Sequence, residues 1–183
     1  MGSIGLYRAP GLSDLDFFTG EILPREQYTV HAHGTVSNVF YAAVETHSKP
    51  GEVWALIVKM DRTRAADCMN FIYKDMSEDM LPYFDEAPVK VLDALTPTSN
   101  ENANTWRAAC RTHHARRAWV RKNVTDGTTI RLPNALTFSD GVARDTFTLR
   151  RRNRRDIWVG ADGVSVRLNR WRDMNFTLVP ATT

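Results

Sequence analysis

The sequence predicts an α+β fold, an N-terminal antiparallel sheet with a few helices followed by a small SH3-like β-barrel, and three observations carry that expectation. Runs rich in Val, Tyr, Phe and Trp, parted by loop signals, fill much of the first hundred residues, as the strands of a half-buried sheet would. A helix-like stretch over 103–117 follows. Beyond Val124, the pairs Asp126-Gly127, Asp140-Gly141 and Asp162-Gly163 punctuate short alternating segments, and Asp-Gly supplies the positive φ that tight turns need.

The elements can be justified in order. Residues 12–18 read as a short helix capped by Ser13, with Leu15 and Phe18 facing inward. Residues 36–45 and 52–60 are two antiparallel strands separated by His47-Ser48-Lys49-Pro50-Gly51, and 70–74 is a third. Residues 88–95 form a short helix that Thr96-Pro97 ends, because the residue before proline is pushed out of the helical region. Thr98 with Glu101 matches a capping box, and the helix behind it carries Ala103, Trp106, Ala109 and Cys110 on one apolar stripe. Segments 128–132, 142–149, 156–159 and 164–168 alternate with period two, and in the last Val164, Val166 and Leu168 point one way. Several short strands at regular spacing imply the small barrel.

Charge divides the chain at the same place as the pattern. Residues 1–106 hold eight basic and fifteen acidic side chains, a net of −7, and the remainder holds sixteen basic and six acidic, a net of +10. We therefore expect an acidic α+β domain over 1–118, a basic barrel over 123–183, and a boundary near 119–122. The run Arg150, Arg151, Arg152, Asn153, Arg154, Arg155 places five arginines in six residues, close to Arg144, Trp158, Arg167, Arg170, Trp171 and Arg172. Arginine grips phosphate with a planar fork of donors, and tryptophan offers a face for a base, so these nine arginines and two tryptophans are the candidate nucleic-acid surface. Alternation sends Arg150, Arg152 and Arg154 to one face and Arg151 and Arg155 to the other or to the turn. A solvated hairpin tip pairing with the acidic half is the alternative.

Composition excludes several classes. No stretch approaches a membrane-spanning run and no signal-peptide pattern opens the sequence. Cys68 and Cys110 read as reduced thiols, which points to the cytoplasm. His31 and His33, two apart on a strand, share a face, but no second pair stands at zinc spacing, so neither a metal nor another cofactor is expected. His113-His114 suits a helix C-terminus, and His114 shares a helical face with Arg107 and Arg111. Common catalytic motifs are missing. Tyr73, Lys74, Asp75, Ser77, Glu78 and Asp79 sit where a strand meets a turn. They can serve as acid-base groups, or cap a helical turn with Met76 and Met80 packed beneath.

Phe40-Tyr41-Ala42-Ala43-Val44, Gly51-Glu52-Val53-Trp54, Tyr73-Lys74-Asp75-Met76 with Glu78, and Leu95-Thr96-Pro97-Thr98 with Asn100, Glu101, Trp106 and Arg107 resemble a family of uncharacterised bacterial, phage and plasmid proteins over about residues 17–117. The resemblance implies a mobile-element setting and supplies no catalytic residue. Three functional readings follow. The first is a nucleic-acid-binding accessory protein of a phage or plasmid. The second is a counter-defence inhibitor docking on a host defence protein complex, and the third is a small enzyme using the Tyr73 to Glu78 cluster. No membrane partner is expected.

Overall fold

In Val39-Phe40-Tyr41-Ala42-Ala43-Val44, six consecutive apolar residues suit a strand covered on both faces, and in the computed structural model all six are buried. The structure describes residues 4–7, 13, 16, 18, 25–62, 70–153 and 155–180. Strand β3 (Val39–Thr46) is flanked by β2 (Tyr28–Val36) and β4 (Val53–Arg62), and β5 (Asn70–Ser77) and β1 (Ile4–Tyr7) complete the antiparallel order β1-β5-β4-β3-β2. The expected strand over 36–45 is split: Ser37 takes a positive φ of 56° and starts a hairpin turn between Val36 and Val39. Asn38 Nδ2 then donates to the Met60 carbonyl at 2.9 Å, which holds that turn to β4.

Each face of this sheet has its own core. Tyr41, Ala43, Ala55 and Ile57 pack with Val91 and Leu92 of helix α1 (Val89–Ala94) and with Trp106 and Cys110 of helix α2 (Glu101–Asn123). Phe40, Ala42, Val44, Leu56 and Val58 pack on the other face with Phe18, whose ring lies 4.4 Å from that of Phe40. Ser13 Oγ accepts the Asp16 amide at 3.1 Å, which is the expected capping contact, while Leu15 lies outside the described residues. The cap of α2 is Asn100 rather than Thr98. Asn100 Oδ1 accepts the Ala103 amide at 2.9 Å, and Thr98 Oγ1 instead accepts the amide of Asn100. Ala103, Trp106 and Cys110 form the buried stripe, but Ala109 is exposed because it lies one helical step off that face. Burial among apolar groups pushes the Cys110 thiol up to about 12, so it stays protonated, and Cys68 lies outside the described residues.

The chain divides into two compact units, Met1–His114 and Ala115–Thr183. The composition-based boundary at 119–122 falls within α2, whose helical hydrogen bonding runs on to Asn123. In the second unit Val120 and Val124 join a core of Ile130, Leu132, Phe147, Leu149, Trp158, Leu168 and Trp171. Its strands β6 (Thr129–Thr137), β7 (Ala143–Arg152), β8 (Arg155–Gly160), β9 (Ser165–Val166) and β10 (Thr177–Val179) form an antiparallel sheet in the order β10-β6-β7-β8-β9. Among the described residues no ladder joins β9 to β10, so this is an open sheet without barrel closure. The glycines of all three Asp-Gly pairs have φ between 76° and 85°. The alternation expected over 164–168 holds for buried Leu168 but not for Val164, which is 41% exposed because it lies in the turn before β9.

The contact between β2 and α1 gives a test of the packing. A Cβ on Gly34 would stand 2.9 Å from Cγ of Pro88, the residue that caps α1. Gly34→Val must push that ring away, so thermal denaturation should show a loss of about 1–3 kcal/mol.

Candidate nucleic-acid interface

Strand register decides where the arginine run points. In β7, Phe147 and Leu149 face the core, so Arg150 and Arg152 face away from it. Across the hairpin Arg150 stands opposite Ile157, Arg151 opposite Asp156 and Arg152 opposite Arg155. Cross-strand partners share a face, so Arg155 joins Arg150 and Arg152 and does not lie on the other side as alternation alone suggested. The hairpin turns at Asn153, with a positive φ of 50° that asparagine tolerates, and Arg154 lies outside the described residues.

Asp156 organises the inner side. It accepts Arg151 Nε at 3.2 Å, Trp171 Nε1 at 3.3 Å and an Arg172 guanidinium nitrogen at 2.6 Å. Arg151 also donates to the Val124 carbonyl, and the Arg172 guanidinium covers the Trp171 ring at 4.5 Å. Beside this hub opens a groove of about 940 Å³, lined by Arg117, Arg155, Arg167, Arg170 and Arg172 with Asn169, Ser165, Asp156 and Asp173. Arg117 is held by Asp173 at 3.2 Å. Among the described residues Arg150, Arg152, Arg155, Arg167 and Arg170 are all exposed, and each stands without an ion pair to a carboxylate. Arg117, Asp156 and Asn169 were missed by the sequence reading. Asp156 follows the arginine run directly, and a lone acid in so basic a stretch was the available signal.

Three expected contact residues do other work. Trp158 is fully buried, with its ring edge-on to Trp171 at 4.8 Å, and Trp171 is only 4% exposed, so neither offers a face to a base. Arg144 is 7% exposed and clamped between Asp140 at 2.8 Å and Asp162 at 2.5 Å, with Phe138 under its guanidinium at 5.5 Å. Two of the Asp-Gly turns thus meet on one arginine. A Cβ on Gly160 would stand 2.7 Å from Asp162 Oδ1 and 2.9 Å from Arg144 Cδ, so this clamp needs the missing side chain. Hydrogen bonds from Arg144 hold both carboxyl groups below the usual aspartate range.

The motif residues of the first unit form a structural knot. Arg107 grips Glu78 with two bonds, 2.7 and 2.6 Å long, and donates a third to the Thr96 carbonyl at 2.6 Å. Glu78 Oε1 also accepts the Ala55 amide, and Trp106 Nε1 donates to the Phe84 carbonyl at 2.9 Å. Glu78 and Arg107 border a second cavity of about 630 Å³ with Thr96, Ser99 and Asn100. Lys74 and Asp75 are exposed on β5, Glu101 is exposed in the first turn of α2, and the Tyr73 side chain lies outside the described residues. Ser77 donates to Asp79, but Met80 is half exposed and does not pack beneath the turn as expected. On α2, Arg111 bonds Asp93 and the Leu92 carbonyl while His114 meets the Ala87 carbonyl at 2.7 Å, so this basic face is occupied within the first unit. The helix runs nine residues past His114, which removes the expected C-terminus there.

His31 and His33 do not share a face. A bulge between Val30 and Ala32 inserts His31 as an extra residue, turning it to Glu45 at 2.6 Å while His33 stacks on Phe40. The His31 contact and the Gly51 amide hold the Glu45 carboxyl below its usual range, the amide contributing most. Among the described residues no three His, Cys, Asp or Glu side chains stand close enough to hold a metal ion.

Residues 97–171 match the family model described as Domain of unknown function (DUF6927), so this stretch carries that domain of unknown function. The match begins just before α2 and reaches Trp171, taking in Arg117, the arginine hairpin, Asp156, Arg167 and Arg170. It overlaps the motifs quoted above at 97–117. No curated protein and no solved structure matches the chain. Among the described residues no helix is long and apolar enough to cross a membrane.

Two predictions test these assignments. Glu78→Gln leaves Arg107 buried without its anion and should cost about 3 kcal/mol in denaturant unfolding, whereas Asp75→Ala, at an exposed site without a partner, should shift stability by less than about 0.5 kcal/mol. Because Asp140 and Asp162 are depressed by Arg144 in the folded state, their contribution is complete above the ordinary aspartate range, about pH 4, and fades as acid protonates them. Melting temperature should therefore fall more steeply below that pH in the native protein than in Arg144→Leu; equal slopes would sink the clamp.

Proposed function

We propose that the protein is a nucleic-acid-binding accessory protein of a mobile element, acting through its arginine-rich C-terminal unit. The observation that carries this reading is the set of exposed, partnerless arginines on the hairpin and groove: Arg150, Arg152, Arg155, Arg167 and Arg170. Arginines without carboxylates repel one another and gain most from an anion that presents several charges at fixed spacing. A phosphodiester backbone does so, and bidentate guanidinium contacts suit its oxygens. The phage or plasmid setting rests on the motif resemblance over residues 17–117.

The variant Arg152→Gln, Arg155→Gln, Arg170→Gln tests the proposal, since none of the three has a partner whose loss would unfold the protein. Its melting temperature should match that of the native protein. Its affinity for mixed-sequence nucleic acid at low salt should fall roughly tenfold or more, and the log-log salt slope should flatten by about 2. Fluorescence anisotropy across a salt series reads both. Absence of binding by the native protein at low salt, with a salt-tolerant complex formed by a host defence protein, would favour the counter-defence reading instead.

A further inference from the structure

We infer that the occupant of this surface is B-form duplex DNA, with the β7–β8 ribbon entering its major groove and the groove arginines closing on the flanking phosphates; the inference rests on the nucleic-acid reading above. Three observations point the same way. The protruding end of the ribbon is narrow: beyond the ladders to β6 and β9 only residues 150–152 of β7 and 155–157 of β8 pair, and Arg150, Arg152, Asn153 and Arg155 are exposed there. A major groove roughly 12 Å wide admits a two-stranded ribbon. The deep, narrow major groove of A-form RNA does not.

The second observation concerns stacking. Single strands are held largely by bases laid on open aromatic faces. Here Trp158 is fully buried, and Trp171 is buried beneath the Arg172 guanidinium. Among the described residues lining the groove, the exposed ones are polar, Arg155, Ser165, Arg167, Asn169, Arg170 and Asp173, and none offers an aromatic platform. A ligand whose bases already stack on one another loses nothing on such a surface.

Third, the exposed groups separate by position. Arg152 and Asn153 stand at the ribbon tip, and arginine and asparagine side chains are suited to bidentate pairing with guanine and adenine edges, respectively, in the major groove. Arg167 and Arg170 lie back along the groove of the sheet, where phosphate contacts would fix orientation. Arg152 and Arg155 face each other directly, an arrangement unfavourable for like charges that an anionic groove would relieve.

Fluorescence anisotropy at low salt with the full chain should compare three probes of one mixed sequence: a DNA duplex of two helical turns, the matching RNA duplex and the DNA single strand. The DNA duplex should bind about tenfold tighter than either of the others. Arg152→Gln should erode the preference for the DNA duplex, while Arg170→Gln should weaken all three alike. Equal or tighter binding of the RNA duplex or the single strand overturns the duplex-DNA inference while leaving nucleic-acid binding in place. Failure of all three probes overturns the functional reading as well. Displacement by a small minor-groove ligand overturns the major-groove placement.

Discussion

One carboxylate, Asp156, holds the basic unit together. Only 17% exposed, it accepts donors from β7 and from the turn that carries Trp171 and Arg172, so strand, neighbour and turn meet at a single negative charge. Charge-assisted hydrogen bonds of this kind are stronger than neutral ones, and three converge here. The consequence is structural before it is electrostatic. Drawn inward by Asp156, Trp171 packs edge-on to Trp158 and becomes core, while Arg172 lies over its outer face. The groove beside it is lined chiefly by guanidinium groups, with Ser165, Asn169 and the carboxylates of Asp156 and Asp173 among them.

The arginine surplus resolves into two populations. Arg144, Arg151 and Arg172 have carboxylate partners that fix turns and strands, and Arg117 is paired with Asp173. The other described arginines of the second unit have no carboxylate partner, including Arg152 and Arg155 directly opposite each other. Opposed like charges on a sheet cost a few tenths to about 1 kcal/mol. A domain of this size tolerates that sum, since stability is of order 5–15 kcal/mol. The exposed arginines are thus poor candidates for stabilising the fold, and the same exposure leaves them available to an anion.

The first unit shows the opposite use of charge. Arg107 and Glu78 are 13% and 5% exposed, with two bonds between them and one further bond from each to a backbone group. Breaking such a pair strands a buried charge, whereas Arg111 and Asp93, both more than half exposed, contribute little. The motif that joins residues 78 and 107 is explained by this demand for mutual satisfaction, because each residue is costly without the other.

Local pattern determined a good deal by itself. The apolar run of β3, the Asp-Gly turns, the short helix ended by Thr96-Pro97 and the basic character of the second unit all follow from neighbouring residues, whose spacing and backbone preferences act over a few positions. Tertiary structure decided what depends on distant partners. It set which arginines are paired, because Arg144 meets aspartates from two turns, and it buried the tryptophans that sequence offered as stacking faces. A one-residue bulge turned His31 away from His33, and helical hydrogen bonding carried α2 through the stretch that composition marked as a boundary. Periodicity records which way a side chain points along its own strand or helix; whether an anion, a ring or water waits there is settled only when segments far apart in the chain are brought together.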